Sequence, residues 1–178
     1  MPEPMSTTPD RLEAAYRNLD RSIGWVQNAD NKALIVLAFQ GAVVAGVAAA
    51  GDPLRTTIEH QRACWQPPTI IGLLIVFTIA FAFSAWKSLR TLLPDATARG
   101  VSPFFFGSIT GMNEADFRAT MRQLDGSHIE EELNGQTFIV SGIAARKFAC
   151  LRFSIIALAV ELGSLLISIA LAEIGKAA

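Results

Sequence analysis

Three stretches of this chain carry almost no charge, and each is about as long as a lipid bilayer is thick. Ala33 to Gly51 is 19 residues without a charge, Ala63 to Trp86 is 24, and Phe153 to Ala172 is 20 interrupted only by Glu161. At a rise of about 1.5 Å per residue, a helix of roughly 20 residues crosses a hydrocarbon layer of about 30 Å. Each run is therefore predicted to span a membrane. Composition points the same way: of 178 residues 51% are hydrophobic and 17% are charged, against roughly a quarter charged in soluble domains. Pro67-Pro68 suits a helix start better than a helix interior, so the second span is placed at 69–86, with Trp65 and Trp86 near its two interfaces.

Lys and Arg set the orientation. Arg11, Arg17, Arg21 and Lys32 precede the first span, and Lys87, Arg90, Arg99, Arg118, Arg122, Arg146, Lys147 and Arg152 lie between the second and third. These are 12 of the chain's 15 basic residues. Only Arg55 and Arg62 fall in the short connection and Lys176 in the tail, so the positive-inside rule puts the N-terminus and the middle segment in the cytoplasm. The expected plan is a cytoplasmic N-terminal helix over 1–32, spans at 33–51, 69–86 and 153–172, an outer loop over 52–68, a cytoplasmic helical segment over 87–152, and an outer tail over 173–178. The first run follows 32 mostly polar residues, which argues against a cleaved signal peptide. A formal net charge of -1 gives nucleic acid no reason to bind, and the 66 residues between the last two spans are too few for a large catalytic domain. With Cys64 outside and Cys150 at the inner face, no internal disulfide is expected. Cys64 either links two copies or acts as a small hydrophobe.

The polar segments read as extensions of the spanning helices. Thr8, Pro9, Asp10 and Glu13 make a helix start. Leu12, Tyr16, Leu19, Ile23 and Val26 then recur at spacings of four and three, the seam of a helix paired with another, so one helix is predicted from Pro9 to Ala50. Pro94, Gly100 and Pro103 mark a loop. Asn113 is placed as the N-cap of a helix reaching about Leu124, and Asp125-Gly126 breaks it. Ser127-His128-Ile129-Glu130 fits a capping box. From there Ile129, Leu133, Gln136, Val140, Ile143 and Lys147 keep the same spacing, and no proline intervenes before Ala178, so the last helix is predicted to be very long, with a kink allowed at Gly135 or Gly142. The fold class is an all-α membrane protein whose helical extensions form a small cytoplasmic bundle.

Catalytic constellations do not emerge. His60 and His128 have no Cys, Asp or Glu at a metal-ligand spacing, and no nucleophile elbow, P-loop or cysteine–histidine signature is present. No metal, no cofactor and no enzymatic activity are expected. Glu130-Glu131-Glu132 falls in a first helical turn, where the dipole accounts for it. Glu161 is different. An ionised carboxylate nine residues into a span is costly, so Glu161 is expected either to line a pore or an assembly interface, or to be a neutral carboxyl bonded to Ser164, Ser168 or a neighbouring helix. Ala42, Gly46 and Ala50 form a stripe of small residues suited to helix packing. Asp30 and Lys32 lie where the first helix meets the membrane, Arg146 and Lys147 where the third does. Asp30 either pairs with Arg146 or Lys147 or stays separately solvated.

Ile23-Gly24-Trp25-Val26-Gln27-Asn28-Ala29-Asp30-Asn31-Lys32-Ala33, running into a span with Gln40-Gly41-Ala42, resembles the start of the transmembrane effectors of Pycsar, a bacterial anti-phage system. Phe105-Phe106-Gly107-Ser108-Ile109, Phe117, Leu124, Gln136-Thr137-Phe138 and Ala145-Arg146-Lys147-Phe148 are similar to that family's second half, and the order matches over about residues 12 to 172. The resemblance implies a multi-pass protein of the bacterial inner membrane, with the outer loop and tail in the periplasm. It implies a partner uridylate or cytidylate cyclase, a cyclic UMP or cyclic CMP signal, and damage to the membrane that kills the infected cell. A nucleotide site would need a cation for the phosphate and an aromatic face for the base; Arg99, Phe104 to Phe106, Arg118, Arg122 and His128 are the cytoplasmic candidates. Three helices enclose no useful channel, so a homo-oligomer in the lipid bilayer is expected. The competing class is a membrane adaptor that recruits a partner without permeabilising anything.

Overall fold

The computed structural model of the protein describes residues 8–49, 66–94, 103–104 and 106–177. These form five helices and, among the described residues, no strand: α1 Thr8–Ala49, α2 Gln66–Leu92, α3 Phe106–Ile109, α4 Glu114–Gln123 and α5 Gly126–Ala177. Three of them, α1, α2 and α5, contain windows long and apolar enough to cross a membrane. Helix α2 begins three residues before the expected span, with both prolines in its first turn, where a missing N–H costs nothing. It continues past Trp86 to Leu92 and stops before Pro94, which disfavours helix in the residue preceding it. His60, Cys64, Trp65, Arg99 and Ala50 lie outside the described residues, as does most of 52–68.

The chain divides into two compact units, Met1–Ala29 with Leu93–Lys147, and Asp30–Leu92 with Phe148–Ala178. In the first, α1 buries Ala15, Ser22 and Ala29 at steps of seven, flanked by half-buried Leu12, Leu19 and Val26. Tyr16 and Ile23 do not belong to this seam and stay 46% and 39% exposed. The seam thus runs one position earlier than the bulky residues suggest, because alanine and serine admit a close neighbour where tyrosine and isoleucine would not. Ser22 Oγ meets Ser141 Oγ of α5 at 3.1 Å. On α5 the expected spacing holds: Leu133, Gln136 and Lys147 are buried and Ile129, Val140 and Ile143 half-buried. Helix α5 passes through Gly135 and Gly142 without a break.

The helix caps also belong to this unit. Asn113 caps α4, its side chain accepting from the Asp116 N–H at 2.8 Å. The cap of α5 is Asp125, not Ser127. Asp125 Oδ1 accepts from the N–H groups of Ser127 and His128 at 3.0 and 2.9 Å and from Ser127 Oγ at 2.7 Å. An ionised carboxylate is the stronger acceptor for the free N–H groups of a helix start, so the serine becomes a donor to it and the capping box does not form. These bonds, led by the His128 backbone N–H, hold the Asp125 carboxyl well below the usual carboxylate range.

In the second unit Ala33, Val36 and Leu151 form a small buried cluster with Leu92, Phe148 and Leu158 packed on it. The opposite faces are apolar and exposed, as at Ile35, Ile79 and Leu166. That is the arrangement of helices solvated by lipid rather than water.

Candidate functional site

A seven-residue step on an α-helix drifts only about 20° around the axis, so residues so spaced share one face. On α5 the positions 147, 154, 161 and 168 are Lys, Ser, Glu and Ser. All four are buried. Lys147 stands before the span, and at about 1.5 Å per residue the three positions inside it, 154 to 168, cover roughly 21 Å of a hydrocarbon layer of about 30 Å. In a plain membrane anchor apolar or small residues are expected at such positions; here the hidden face of the helix carries Ser154, Glu161 and Ser168 beside Leu151, Ala157 and Ala172.

Within the second unit the other two spans answer this line with polar groups of their own. Ser84 and Ser88 of α2, both fully buried, meet Ser154: Ser84 Oγ lies 3.1 Å and Ser88 Oγ 2.6 Å from Ser154 Oγ. Ser84 Oγ also donates to the Ser154 carbonyl at 2.9 Å, and Ser154 Oγ to the Ser84 carbonyl at 3.0 Å. From α1, Gln40 Nε2 donates to Glu161 Oε2 at 3.1 Å and approaches the Phe81 carbonyl of α2 at 3.4 Å. One glutamine thereby touches both other spans. Of the expected partners of Glu161, the neighbouring helix supplies the bond. Ser164 and Ser168 do not reach the carboxyl; their hydroxyls donate to the carbonyls of Glu161 and Ser164, each at 2.8 Å, as serine commonly does inside a helix.

Gln40 Oε1 and Glu161 Oε1 are buried without a hydrogen-bond partner. Both atoms are acceptors, so the pair accommodates a donor: a proton on the carboxyl, a water molecule or a cation would each serve. The carboxylate of this seam lies at mid-span, with serine hydroxyls above and below it.

The remaining candidates are more scattered. Lys32 is exposed, with its ammonium 5.9 Å from the Phe148 ring centroid. Asp30 falls in one unit, and exposed Arg146 and buried Lys147 in the other. Arg118 forms an ion pair with Glu114 one turn back on α4, at 2.6 Å and largely exposed. His128 Nδ1 lies 2.8 Å from Asp125 Oδ1, within the cap of α5. Arg122, one turn beyond Arg118, is exposed and forms no ion pair among the described residues. No three His, Cys, Asp or Glu side chains converge on a metal-sized site among the described residues. Gln40, Ser84, Ser88 and Ser154 are partners that spacing alone does not single out on three separate helices. The signal that could have found them is the seven-residue recurrence of Ser154, Glu161 and Ser168, which predicts polar partners opposite.

The family model described as the Pycsar effector protein domain matches residues 14–174, nearly the whole chain. The chain belongs to the Pycsar effector family. Membership gives it a role in Pycsar anti-phage defence, in which the effector acts with a cyclase and a cyclic nucleotide signal. No curated protein and no solved structure matches the chain. The match begins one residue before Ala15, a buried position of the α1 seam, and ends two residues past Ala172, a buried position of α5.

Proposed function

We propose that this Pycsar effector is a non-catalytic, multi-pass protein of the bacterial inner membrane, with its N-terminus in the cytoplasm, that permeabilises the membrane when a cyclic pyrimidine mononucleotide is made on infection. The observation that carries this reading is the buried polar line on α5. Serine pairs would serve helix packing alone, but a mid-span glutamate is costly to hide, and Glu161 Oε1 and Gln40 Oε1 stay without partners, which packing alone does not call for. In the proposed resting state the polar faces are turned inward and bonded to Gln40, Ser84 and Ser88, with Glu161 Oε1 and Gln40 Oε1 left open to a donor. The signal rearranges the cytoplasmic helices, and because α1 and α5 run unbroken from polar segment to span, the change reaches the seam. Several copies then meet through surfaces that are exposed in one chain, such as Ala42 and Gly46 on α1, where a Cβ added at Gly46 would touch nothing.

For the nucleotide, cyclic UMP or cyclic CMP, a phosphate contact is needed from a cation that is not already committed. Arg118 and His128 have carboxylate neighbours, so Arg122 is the preferred contact among these three, with Arg99 as a further candidate. The test is membrane potential, read with a voltage-sensitive dye in cells that express the protein while cyclic UMP, cyclic CMP or cyclic AMP is supplied. Depolarisation by one pyrimidine nucleotide, lost in Arg122→Ala at equal expression, is expected. Silence with all three, together with recovery of a stable protein partner, would overturn the reading in favour of an adaptor.

A further inference from the structure

Helices α2 and α5 leave an open groove of about 310 Å³ in the second unit, lined by Val76, Ile79, Ala80, Phe83, Ala157 and Val160. Every lining side chain is apolar, and most of those from α2 fall on the exposed face that lipid would solvate. One end of the groove is Phe83, and one turn further along α2 stands Lys87, its ammonium 5.3 Å from the Phe83 ring centroid. The same ammonium lies 4.8 Å from Trp86 and 5.7 Å from Phe153 of α5. Arg90 follows, with its guanidinium carbon 5.9 Å from the Trp86 ring. Lys87 is thus fixed between rings at the groove's mouth, and neither it nor Arg90 has a carboxylate partner among the described residues.

The sequence sets the depth of this arrangement. Lys87 is the first charge after 24 uncharged residues, which puts it at the boundary between hydrocarbon and headgroups. A dry slot below and two cations above, at that depth, match the two ends of one kind of molecule. We propose that this groove binds a single anionic phospholipid, an acyl chain lying along Val76, Ile79 and Val160 and the phosphate group meeting Lys87 and Arg90. The cations favour a net negative headgroup. A zwitterionic choline lipid fits less well, because its quaternary ammonium would have to compete with Lys87 for the aromatic faces that usually receive such groups.

The experiment uses the full-length protein in mild detergent and native mass spectrometry, with phosphatidylglycerol and phosphatidylcholine of the same chain length offered in competition. The expected result is one retained phosphatidylglycerol per chain and a preference over phosphatidylcholine on the order of tenfold. The Lys87→Gln, Arg90→Gln double variant is expected to bind the two lipids equally, with helix content unchanged by circular dichroism. Val160→Trp, which fills the slot from an exposed position, is expected to lower retention of both. Equal retention of the two lipids by the unaltered protein overturns the proposal whatever the variants do, and so does a preference that survives the double substitution.

Discussion

The two units of this protein pack their helices with different shares of polar side chains inside and apolar ones outside. Of the eleven buried polar side chains among the described residues, eight lie in the unit made of the spans and three in the other. The unit of the polar segments hides alanine and leucine, as at Ala15, Ala29, Leu133 and Ala144, and of its charges Lys147 is buried while most of the others turn outward. The unit of the spans hides serine, threonine, glutamine and glutamate alongside Ala33, Val36, Ile70 and Leu151, and turns isoleucine and leucine outward. What differs is the solvent. Water drives apolar side chains together, whereas lipid is as apolar as leucine and leaves interhelical hydrogen bonds and close approach of small residues to hold helices together. The same two helices, α1 and α5, pass through both regimes without interruption, so their inner faces change character along their length.

The sharpest way to break that contrast is to make the membrane interior apolar. Glu161→Leu leaves the Gln40 carboxamide facing Phe81 alone, and we expect it to lose depolarising activity almost completely, with a fall in stability of about 1 to 2 kcal/mol followed by thermal melting in detergent. Glu161→Gln keeps the bond and should keep the fold, separating the carboxylate's role in function from its role in packing. Next in size is Ser154→Ala, which strips Ser84 and Ser88 of a shared partner and should cost about 1 kcal/mol. Ser22→Ala makes the equivalent change in the other unit, where Ser141 is only half-buried and water can replace the lost hydroxyl. It should fall within about 0.5 kcal/mol of the parent. A larger cost for Ser22→Ala than for Ser154→Ala in the same assay would remove the contrast.

The smallest effect concerns pH at the start of α5. Because the Asp125 carboxyl is held below its ordinary value of 3.8 in the folded chain, its capping contribution is complete at neutral pH. It begins to weaken only as pH falls below 3.8, and it vanishes below the depressed folded value. Protection of the His128 amide against hydrogen exchange, corrected for the intrinsic rate, should therefore persist through the usual carboxylate range and disappear in more acid solution. Asp125→Ala should abolish that protection at every pH.

The spans, the long helices and the Asn113 cap were legible in the sequence because each rests on a local signal: an uncharged run, a spacing of three and four, a capping side chain three residues before its N–H. The register of α1 was not, since Tyr16 and Ile23 advertise hydrophobicity while the buried positions are held by alanine and serine, chosen for size. The cap of α5 was misplaced at Ser127, where the structure has Asp125. Pattern alone favours the serine–glutamate box, but the carboxylate two residues earlier is the better acceptor. Glu161 stood out as a charge within a span, yet its partner Gln40 lies 121 residues away. Only the packing of α1 against α5 joins them.

The measurement closest to the central claim is the solvent accessibility of the polar line before and after the signal. In a background with Cys64 and Cys150 replaced, single cysteines at Ser154 and Ser168 and, as lipid-facing controls, at Ile155 and Ile169 would be challenged with a membrane-impermeant thiol reagent in cells. We predict that Ser154→Cys and Ser168→Cys are protected at rest and react once the cyclic pyrimidine nucleotide is supplied, while the two controls stay silent throughout. Depolarisation without any labelling of the polar line, or labelling of the lipid-facing controls alone, would contradict the account.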